Sequence, residues 1–364
     1  MTDNASAEVL VKDYRPTPLV KLASHTPEKA RFAAIDAHNH LFGDLPPEEL
    51  IAVMDAVGVE TWVNVSGNVT MPLEGNTYTI ARRPIDVFMD NYVRAWPGRF
   101  AAMTMADFAQ WGDPILIKDD GFVDRCVARL EDDVAKGACG LKVTKELGLF
   151  FKDRHGGMIA VDDERLFPIW RRAGELGVPV LMHVSDPVGF FLPIDSRNEH
   201  YLTLREFPGW SFAGSHFSKE ALLEQRNRLI AAFPGTTFLL PHVANHPEDL
   251  ASVARLLERF PNVAIDFSAR IDELGRQPYT ARDFFVAYQD RILFGSDMPV
   301  SAEVYRCYFR FLETRDEYFE APDYIGRFGV YTRWRLYGLH LPDDVLRRVY
   351  RDNARRLIPG LGGG

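Results

Sequence analysis

The chain has 364 residues, of which 46% are hydrophobic and 26% charged, and its 42 basic and 51 acidic side chains give a formal net charge of −9. This composition is typical of a globular protein with a large core, and it fits either one barrel or two ordinary domains. An acidic chain without Lys- or Arg-rich runs argues against nucleic acid and anionic membranes as partners.

The cysteines and the first residues of the chain indicate a compartment. Cys126, Cys139 and Cys307 are too few and too scattered for a disulfide framework, which indicates a reducing environment. The first residues lack the basic and apolar regions of a signal peptide, and no apolar run is long enough to span a bilayer. We therefore expect a cytoplasmic protein.

Short apolar segments alternate with longer amphipathic ones after an N-terminal arm at residues 1–31, which is polar, contains proline and is predicted to be extended. The apolar segments are continuous rather than alternating, which is typical of parallel strands buried on both faces. The predicted strands are, in chain order, RFAAIDAHN, TWVNVSG, FAAMTMADF, CGLKVT, VPVLMHV, TTFLLPHV, NVAIDFSA and RILFGSD.

Amphipathic segments separate these strands, and several of them end in Gly or Pro-Gly, where helices commonly stop. Each step between strands is long enough for a crossover helix. The pattern predicts an α/β fold, a (β/α)₈ TIM barrel over residues 32–358, with C-terminal helices from residue 301 and a flexible tail at 359–364. A doubly wound open sheet is the alternative, and the lack of a glycine-rich loop after the first strand disfavours it.

Two long inserts follow the fourth and fifth predicted strands, on the face where barrel enzymes keep their active sites. They are KELGLFFKDRHGGMIAVDD and SDPVGFFLPIDSRNEHYLTLREFPGWSFAGSHFSK. Loops of this length are usually lids or binding loops, and the aromatic residues of the second predict an apolar wall of a pocket. Arg197 in the second insert is predicted either to contact substrate or to be solvated.

Polar residues gather at the C-terminal ends of the predicted strands. His38 and His40 lie two residues apart on strand one and therefore point to the same face, where they can bind one ion together. Strands five, six and eight end with His183, His242 and Asp297. Imidazole and carboxylate groups suit Zn²⁺ and also Mn²⁺, Fe²⁺, Co²⁺ or Ni²⁺. A single such histidine is more often structural, but this combination predicts a mononuclear metal site with a bound water.

Other polar groups near the strand ends have less specific interpretations. Lys142 on strand four is a carbamylated metal bridge, a contact for an anionic substrate, or a barrel residue with an acidic partner. Arg270 after strand seven meets a substrate carboxylate or Asp266. Asp36 orients a histidine ligand or caps the turn.

The segments DAHNH, GLKV, LMHVSD, PHVAN and ILFGSDMP together resemble the amidohydrolase superfamily. More closely, the chain resembles the amidohydrolase-related branch that includes aminocarboxymuconate semialdehyde decarboxylase and the resorcylate decarboxylases. The resemblance covers roughly residues 32–358 and implies a distorted TIM barrel. It also implies one bound divalent metal ion, and zinc is the first candidate.

By this resemblance, His38, His40, His183 and Asp297 would bind the metal. His242 would lie beside the metal water as a base, an acid or an orienting donor, and Asp297 would also carry a proton. Lys142 occupies the position of the carbamylated lysine of binuclear members, whereas the related branch usually uses one metal. The role of Lys142 therefore stays open.

Three functions are compatible with these residues. The first is a metal-dependent hydrolase, in which activated water attacks an amide, ester or lactone of a small substrate that carries a carboxylate. The second is a non-oxidative decarboxylase of an aromatic or unsaturated acid, with Lys142, Arg270 and Arg197 as candidate contacts for the substrate. The third is a non-catalytic barrel with a structural metal. The branch also implies a homodimer.

Overall fold

The computed structural model describes residues 9–10, 17, 19–74, 77–110, 112–321 and 334–361. Within these residues, eight parallel strands follow one another around a barrel in chain order. They are β1 (Ala34–Asn39), β2 (Val59–Asn64), β3 (Phe100–Ala102), β4 (Leu141–Val143), β5 (Val180–Met182), β6 (Phe238–Leu240), β7 (Val263–Asp266) and β8 (Ile292–Leu293).

Backbone hydrogen bonds close the barrel at the two places where the strand ladder is interrupted. Between β3 and β4, the N–H of Lys142 donates to the carbonyl of Thr104 over 2.7 Å. Between β8 and β1, the N–H of Ala37 donates to the carbonyl of Phe294 over 2.9 Å. The ring of strands is therefore complete, and the prediction of a distorted (β/α)₈ barrel is confirmed.

Helices surround the barrel. The longer ones are α1 (Pro47–Val57), α2 (Ile85–Phe88, continued by a π-helical segment at Met89–Arg94), α3 (Phe122–Ala135), α4 (Phe167–Glu175), α5 (Lys219–Ala232), α6 (Leu250–Arg259), α7 (Pro278–Ala287) and α8 (Ala302–Glu313). The chain ends in α9 (Asp343–Arg347, a π-helical segment at Arg348–Asp352, and Asn353–Leu357). Amphipathic sequence explains their placement, since each buries its apolar side against the strands.

Side chains of the strands fill the barrel interior, and the C-terminus covers its lower end. Ile35, Val63 and Leu239 belong to one buried apolar cluster inside the ring. Ile358 and Leu361, which follow α9, belong to the same cluster and are buried. The lower end is therefore packed, and the upper end, where the strands finish, is the side that carries polar groups.

The long connections contain short elements that the sequence pattern does not predict. Segments Ile115–Ile117 and Lys152–Asp153 form a small parallel pair. After β2, Val69–Thr70 pairs with Ala81–Arg82, and Leu73–Glu74 pairs with Thr77–Tyr78. Short helical turns occupy Ala106–Phe108, Glu146–Leu149, Glu164–Leu166, Val188–Phe191, Tyr201–Glu206, Pro208–Trp210, Pro241–Ala244, Ile271–Gly275 and Gln289–Arg291.

The described part of the N-terminal arm has no regular secondary structure before β1. Its end is attached to the barrel, because the N–H and Nδ1 of His25 both bond Asp316, each over 2.7 Å, and the N–H of Ala30 donates to Val57. Residues 1–8, 11–16 and 18 lie outside the described residues, as do residues 362–364 of the predicted tail. Among the described residues, no helix has the length and apolar character needed to cross a membrane.

Candidate metal-dependent active site

Three side chains at the upper end of the barrel form a compact set of metal-ligand atoms. One ligand atom from each of His38, His40 and Asp297 lies within 4.8 Å of the other two. Nε2 of His38 is 3.9 Å from Oδ2 of Asp297, and Nε2 of His40 is 3.7 Å from Oδ1. The structure therefore brings together the imidazole of His38 in β1, that of His40 directly after β1 and a carboxylate that follows β8, as the sequence predicts.

Contacts of the first and last strands place these groups. The register of β1 against β2 shifts between Asp36 and Asn39, and such irregularities often re-aim side chains beside active sites. The N–H of Asp297 donates to the carbonyl of His38 over 2.9 Å, with Asp297 in the left-handed region at φ 48°. Gly295 permits this approach, because a Cβ there would lie 2.8 Å from Cβ of His38.

Outer partners orient both histidine rings. Nδ1 of His38 is 2.8 Å from Oδ2 of Asp266, and Nδ1 of His40 is 2.7 Å from Oγ of Ser66. Metal-binding histidines commonly donate their second nitrogen in this way, which leaves Nε2 free for the ion. Burial also lowers the pKa of both histidines well below the usual value, so the rings are neutral, as ligands must be. The donor set therefore fits a divalent metal.

Asp266 rather than Asp36 is the carboxylate that bonds Nδ1 of the metal-type ligand His38. Asp36 instead accepts hydrogen bonds from Oγ of Ser296 over 2.6 Å and from the hydroxyl of Tyr305 over 2.7 Å. Asp36 thus holds Ser296, the residue before Asp297, in position. This role of Asp266 was not predicted, although its position at the end of β7 was the available signal.

His242 lies beside the cluster with one ring nitrogen available. Its Nδ1 is 2.8 Å from the carbonyl of Ser268, so the proton lies on Nδ1 and Nε2 is an acceptor. Nε2 has no hydrogen-bond partner among the described residues and is 3.5 Å from Oδ2 of Asp297. Burial lowers the pKa of His242 well below the usual value. The neutral imidazole of His242, which lies beside the carboxylate of Asp297, can therefore accept a proton at Nε2.

The backbone that carries His242 is unusual. Residues 242–245 all have positive φ angles, from 53° to 59°, although none is glycine. Such a conformation costs about 1–2 kcal/mol per residue, and most of all for a β-branched residue such as Val243. Strain of this kind commonly marks functional sites. The sequence PHVAN has no glycine to indicate this turn.

His183 lies near the site but faces another partner. Its ring centroid is 4.4 Å from that of His242. However, its Nε2 is 3.0 Å from the carbonyl of Ser185 and 3.4 Å from Oδ1 of Asp186. Burial lowers the pKa of His183 to about 4. His183 is not part of the three-residue cluster, and its role as a ligand stays a prediction.

Lys142 is buried within the cluster. Its Nζ is 3.1 Å from Nε2 of His38, on the side where a metal would lie. Burial lowers the pKa of Lys142 to about 8, against the opposing charge of Asp297. Burial likewise raises the pKa of Asp297 to about 7, although the Lys142 charge opposes it. The position of the lysine is compatible with each of its three predicted roles.

Arg270 and Arg197 have different surroundings. Arg270 is buried next to the site, where its Nη2 donates to Oδ1 of Asp186 over 3.1 Å. Asp186 also accepts from Lys145. The side chain of Arg197 is 87% exposed and pairs with Asp195, two residues away. The structure therefore does not bring Arg197 to the other predicted site residues.

Aromatic side chains of the two inserts meet near this ion pair. The rings of Phe150 and Phe212 have centroids 6.0 Å apart, and those of Phe191 and Phe212 are 5.3 Å apart. Nζ of Lys145 lies 5.2 Å from the centroid of Phe212. An apolar aromatic surface thus lies next to cationic groups, and the wall of a pocket formed by the second insert stays a prediction.

These features define a TIM-barrel protein whose carboxyl-end face carries a cluster suited to a divalent metal. Residues 25–360 match the amidohydrolase family, and the chain belongs to this family. The resemblance seen in the strand-end motifs is therefore confirmed. No curated protein matches the chain.

Three solved structures are similar to this chain over 90% of its length. A 2,6-dihydroxybenzoate decarboxylase bound to 2,6-dihydroxybenzoate is 19% identical, with a TM-score of 0.51 over 90% of this chain and 98% of that one. A dihydroxybenzoic acid decarboxylase from Polaromonas sp. JS666, with bound manganese and 2-nitroresorcinol, is 17% identical, with a TM-score of 0.50 over 90% and 96%. A probable 2-pyrone-4,6-dicarboxylic acid hydrolase from Acinetobacter baumannii is 13% identical, with a TM-score of 0.47 over 90% and 99%.

Proposed function

We propose that the protein is a metal-dependent hydrolase that cleaves an amide, ester or lactone bond of a small substrate carrying a carboxylate. The observation that carries this proposal is the position of Asp297. Its carboxylate lies within 3.9 Å of Nε2 of His38, His40 and His242, so it adjoins both the metal-type donors and a neutral imidazole that can accept a proton.

His38, His40 and Asp297 would hold the metal, with His183 as a fourth predicted ligand. A bound divalent ion supplies Lewis acidity here, which lowers the pKa of water and polarises a carbonyl oxygen. We propose zinc, with Mn²⁺, Fe²⁺, Co²⁺ and Ni²⁺ as ions that the same donors accept.

Proton transfer is assigned to His242 and Asp297. Because Nδ1 of His242 donates to the carbonyl of Ser268, its Nε2 can take a proton from the attacking water. The protonated imidazole and Asp297, 3.5 Å away, can then return that proton to the leaving nitrogen or oxygen.

Recognition of the substrate is assigned to the cationic and aromatic groups around Asp186. Arg270 and Lys142 are the candidate contacts for a substrate carboxylate, and Lys142 acts so only if it is not a metal bridge. Phe150, Phe191 and Phe212 supply the apolar surface. A planar, unsaturated acid fits these neighbours. We also retain the proposals of a homodimer and a cytoplasmic location.

Decarboxylation is the second candidate. Two solved decarboxylases share the fold, and Asp297 lies 3.5 Å from Nε2 of His242, so this pair is placed to hold and deliver a proton. In that reaction the bond from the ring carbon to the carboxylate breaks and carbon dioxide leaves. Its electron pair stays on the carbon, and a proton held by His242 or Asp297, whose Nε2 and Oδ2 atoms are 3.5 Å apart, then forms the new C–H bond.

The test is a screen of chelated protein reloaded separately with Zn²⁺, Mn²⁺, Fe²⁺, Co²⁺ and Ni²⁺, carried out in ¹⁸O-water. One panel holds lactones, esters and amides of carboxylic acids, and the other holds hydroxylated aromatic acids. Hydrolysis incorporates ¹⁸O into the organic product and releases no carbon dioxide. Decarboxylation releases carbon dioxide and leaves the organic product unlabelled. Turnover that is unaffected by chelation, or that persists in Asp297→Asn, contradicts both candidates.

A further inference from the structure

The turn that carries His242 is held by charged side chains that the proposed mechanism does not use. Nη1 of Arg226 donates to the carbonyl of Ala244 over 2.5 Å. Nζ of Lys219 donates to the carbonyl of Asn245 over 2.6 Å. Both cations project from α5 and are buried, with 3% of their surface exposed. Two successive carbonyls of the left-handed turn thus each accept a bond from one cation.

Lys219 also connects two neighbouring loops. Its Nζ donates to the backbone carbonyl of Asp186 as well as to that of Asn245. The loop after β5 carries Asp186, which faces Nε2 of His183, and the loop after β6 carries His242. A further hydrogen bond holds the turn, because the N–H of His242 donates to Oδ1 of Asp266 over 3.1 Å.

Stability alone does not account for these two residues. Taking a guanidinium or an ammonium out of water is unfavourable, and well-packed apolar residues are often as stable or more stable in such positions. Burial lowers the pKa of Arg226 to about 9, and that of Lys219 to about 8. The two cations instead provide several N–H donors. These donors point at backbone carbonyls that the left-handed turn does not pair within a helix or sheet.

We propose that Lys219 and Arg226 are positioning residues of the active site. They hold the turn at residues 242–245 in its left-handed conformation, so that Nδ1 of His242 meets Ser268 and Nε2 faces Asp297. Lys219 also keeps the loops after β5 and β6 at a fixed spacing. The proposal rests on the proposed function only for the role of His242 as a proton carrier.

The test follows the His242 ring directly, in protein labelled with ¹⁵N-histidine, without a substrate. His242→Gln assigns its resonances by their loss. Wild type is expected to give one sharp Nδ1–H tautomer. Lys219→Met and Arg226→Met are expected to broaden, split or shift the His242 signals, while the His155 and His216 signals stay unchanged. Lys219→Arg, which keeps a donor, is expected to restore much of the wild-type spectrum.

Arg228→Met is the matched control, since Arg228 lies on the same helix but is 60% exposed and bonds Asp162. It is expected to leave the His242 spectrum unchanged. Melting curves verify that each variant is folded, and Lys219→Gln and Arg226→Gln replace any methionine variant that is not. Folded Lys219 and Arg226 variants with a wild-type His242 spectrum overturn the proposal, as does an equal effect of Arg228→Met.

A His242 spectrum that changes as expected in a protein inactive in every metal-loaded assay supports the positioning role and contradicts the proposed function. Once a substrate is known, Arg226→Met is expected to lower kcat by at least tenfold and to change KM by less than threefold, because Arg226 bonds the turn that carries His242, whereas Lys219 also bonds the loop of Asp186. A change confined to KM would overturn the proposal.

Discussion

The two sides of the barrel mouth differ in how they present their histidines. On the β1 and β8 side, the Nε2 atoms of His38 and His40 are directed by partners on Nδ1 toward Asp297. On the β5 and β6 side, His183 faces Asp186, and His242 reaches Asp297 only through a left-handed turn. The first side is built by strand alternation and closure of the barrel, and the second by loops tied to α5.

This difference separates two ways of building a site. Residues on a strand inherit their direction from the backbone, so a motif such as His-x-His specifies geometry nearly by itself. Residues in a loop depend on distant partners that bond their backbone, so the same residue type can face a metal or turn away. We therefore expect the β1 and β8 side to dominate metal affinity, and the β5 and β6 side to dominate proton transfer.

Asp297→Asn is expected to have the largest effect, because Asp297 belongs to both sides. It removes an anionic ligand and a proton carrier while keeping the shape of the side chain. We expect kcat/KM to fall by about 10³-fold or more, with weaker metal binding. Steady-state kinetics and metal titration measure the two effects, and Asp290→Asn, at an exposed pair with Arg348, serves as the control.

His242→Ala should separate chemistry from metal binding. We expect kcat to fall by about 10²–10⁴-fold, as for loss of a general acid or base, while metal stoichiometry stays that of wild type. Elemental analysis of the purified variant provides the second measurement. His216→Ala, at an exposed ring that contacts Phe217, is the matched control. Loss of the metal from His242→Ala would place His242 among the ligands instead.

Comparison of His40→Ala with His183→Ala tests the two sides against each other. Both are expected to weaken binding of Zn²⁺ more than they lower the melting temperature. The effect of His40→Ala should be larger, because His40 already faces Asp297, whereas Nε2 of His183 faces Ser185 and Asp186. Competition with a chromophoric chelator measures both affinities. Equal or reversed losses would contradict the ranking, and wild-type binding by His183→Ala would show that His183 is no ligand.

A smaller effect concerns the pH dependence of stability, to which Lys219 contributes as the buried cation that bonds the loops after β5 and β6. Burial lowers its pKa from 10.5 to about 8, so between these pH values the unfolded chain binds more protons than the folded one. The free energy of unfolding therefore rises with pH in this window, by about 3 kcal/mol for this group. We expect the stability of wild type relative to Lys219→Met to increase from pH 8 to 10.5, measured by urea unfolding.

Much of the fold could be predicted from sequence. Continuous apolar runs and Gly-terminated helices are local signals, and eight of them in alternation indicate a barrel. The strands are shorter than the apolar runs, since TTFLLPHV contains only Phe238–Leu240. The short pair of Ile115–Ile117 with Lys152–Asp153 was missed because its partners are distant in sequence. No local pattern specifies such a pairing.

The site was predictable to the extent that strands carry it. His38, His40 and Asp297 follow from residue type at strand ends, and the structure brings them together. The turn at 242–245 and the buried Lys219 could not be predicted, because each depends on a tertiary contact. Arg197 was predicted either to contact substrate or to be solvated, and the sequence alone could not decide between them; its side chain is 87% exposed beside Asp195.

The bond between the N–H of Asp297 and the carbonyl of His38 has a consequence for the order of assembly. It joins the first and last strands of the ring, so the ligand cluster spans the seam that a growing chain completes last. An ion bound there stabilises the closed ring by mass action. We expect amide hydrogen exchange in β1 and β8 to slow more on addition of Zn²⁺ than exchange in β3 and β4. The metal would then stabilise the closed barrel in addition to taking part in the reaction.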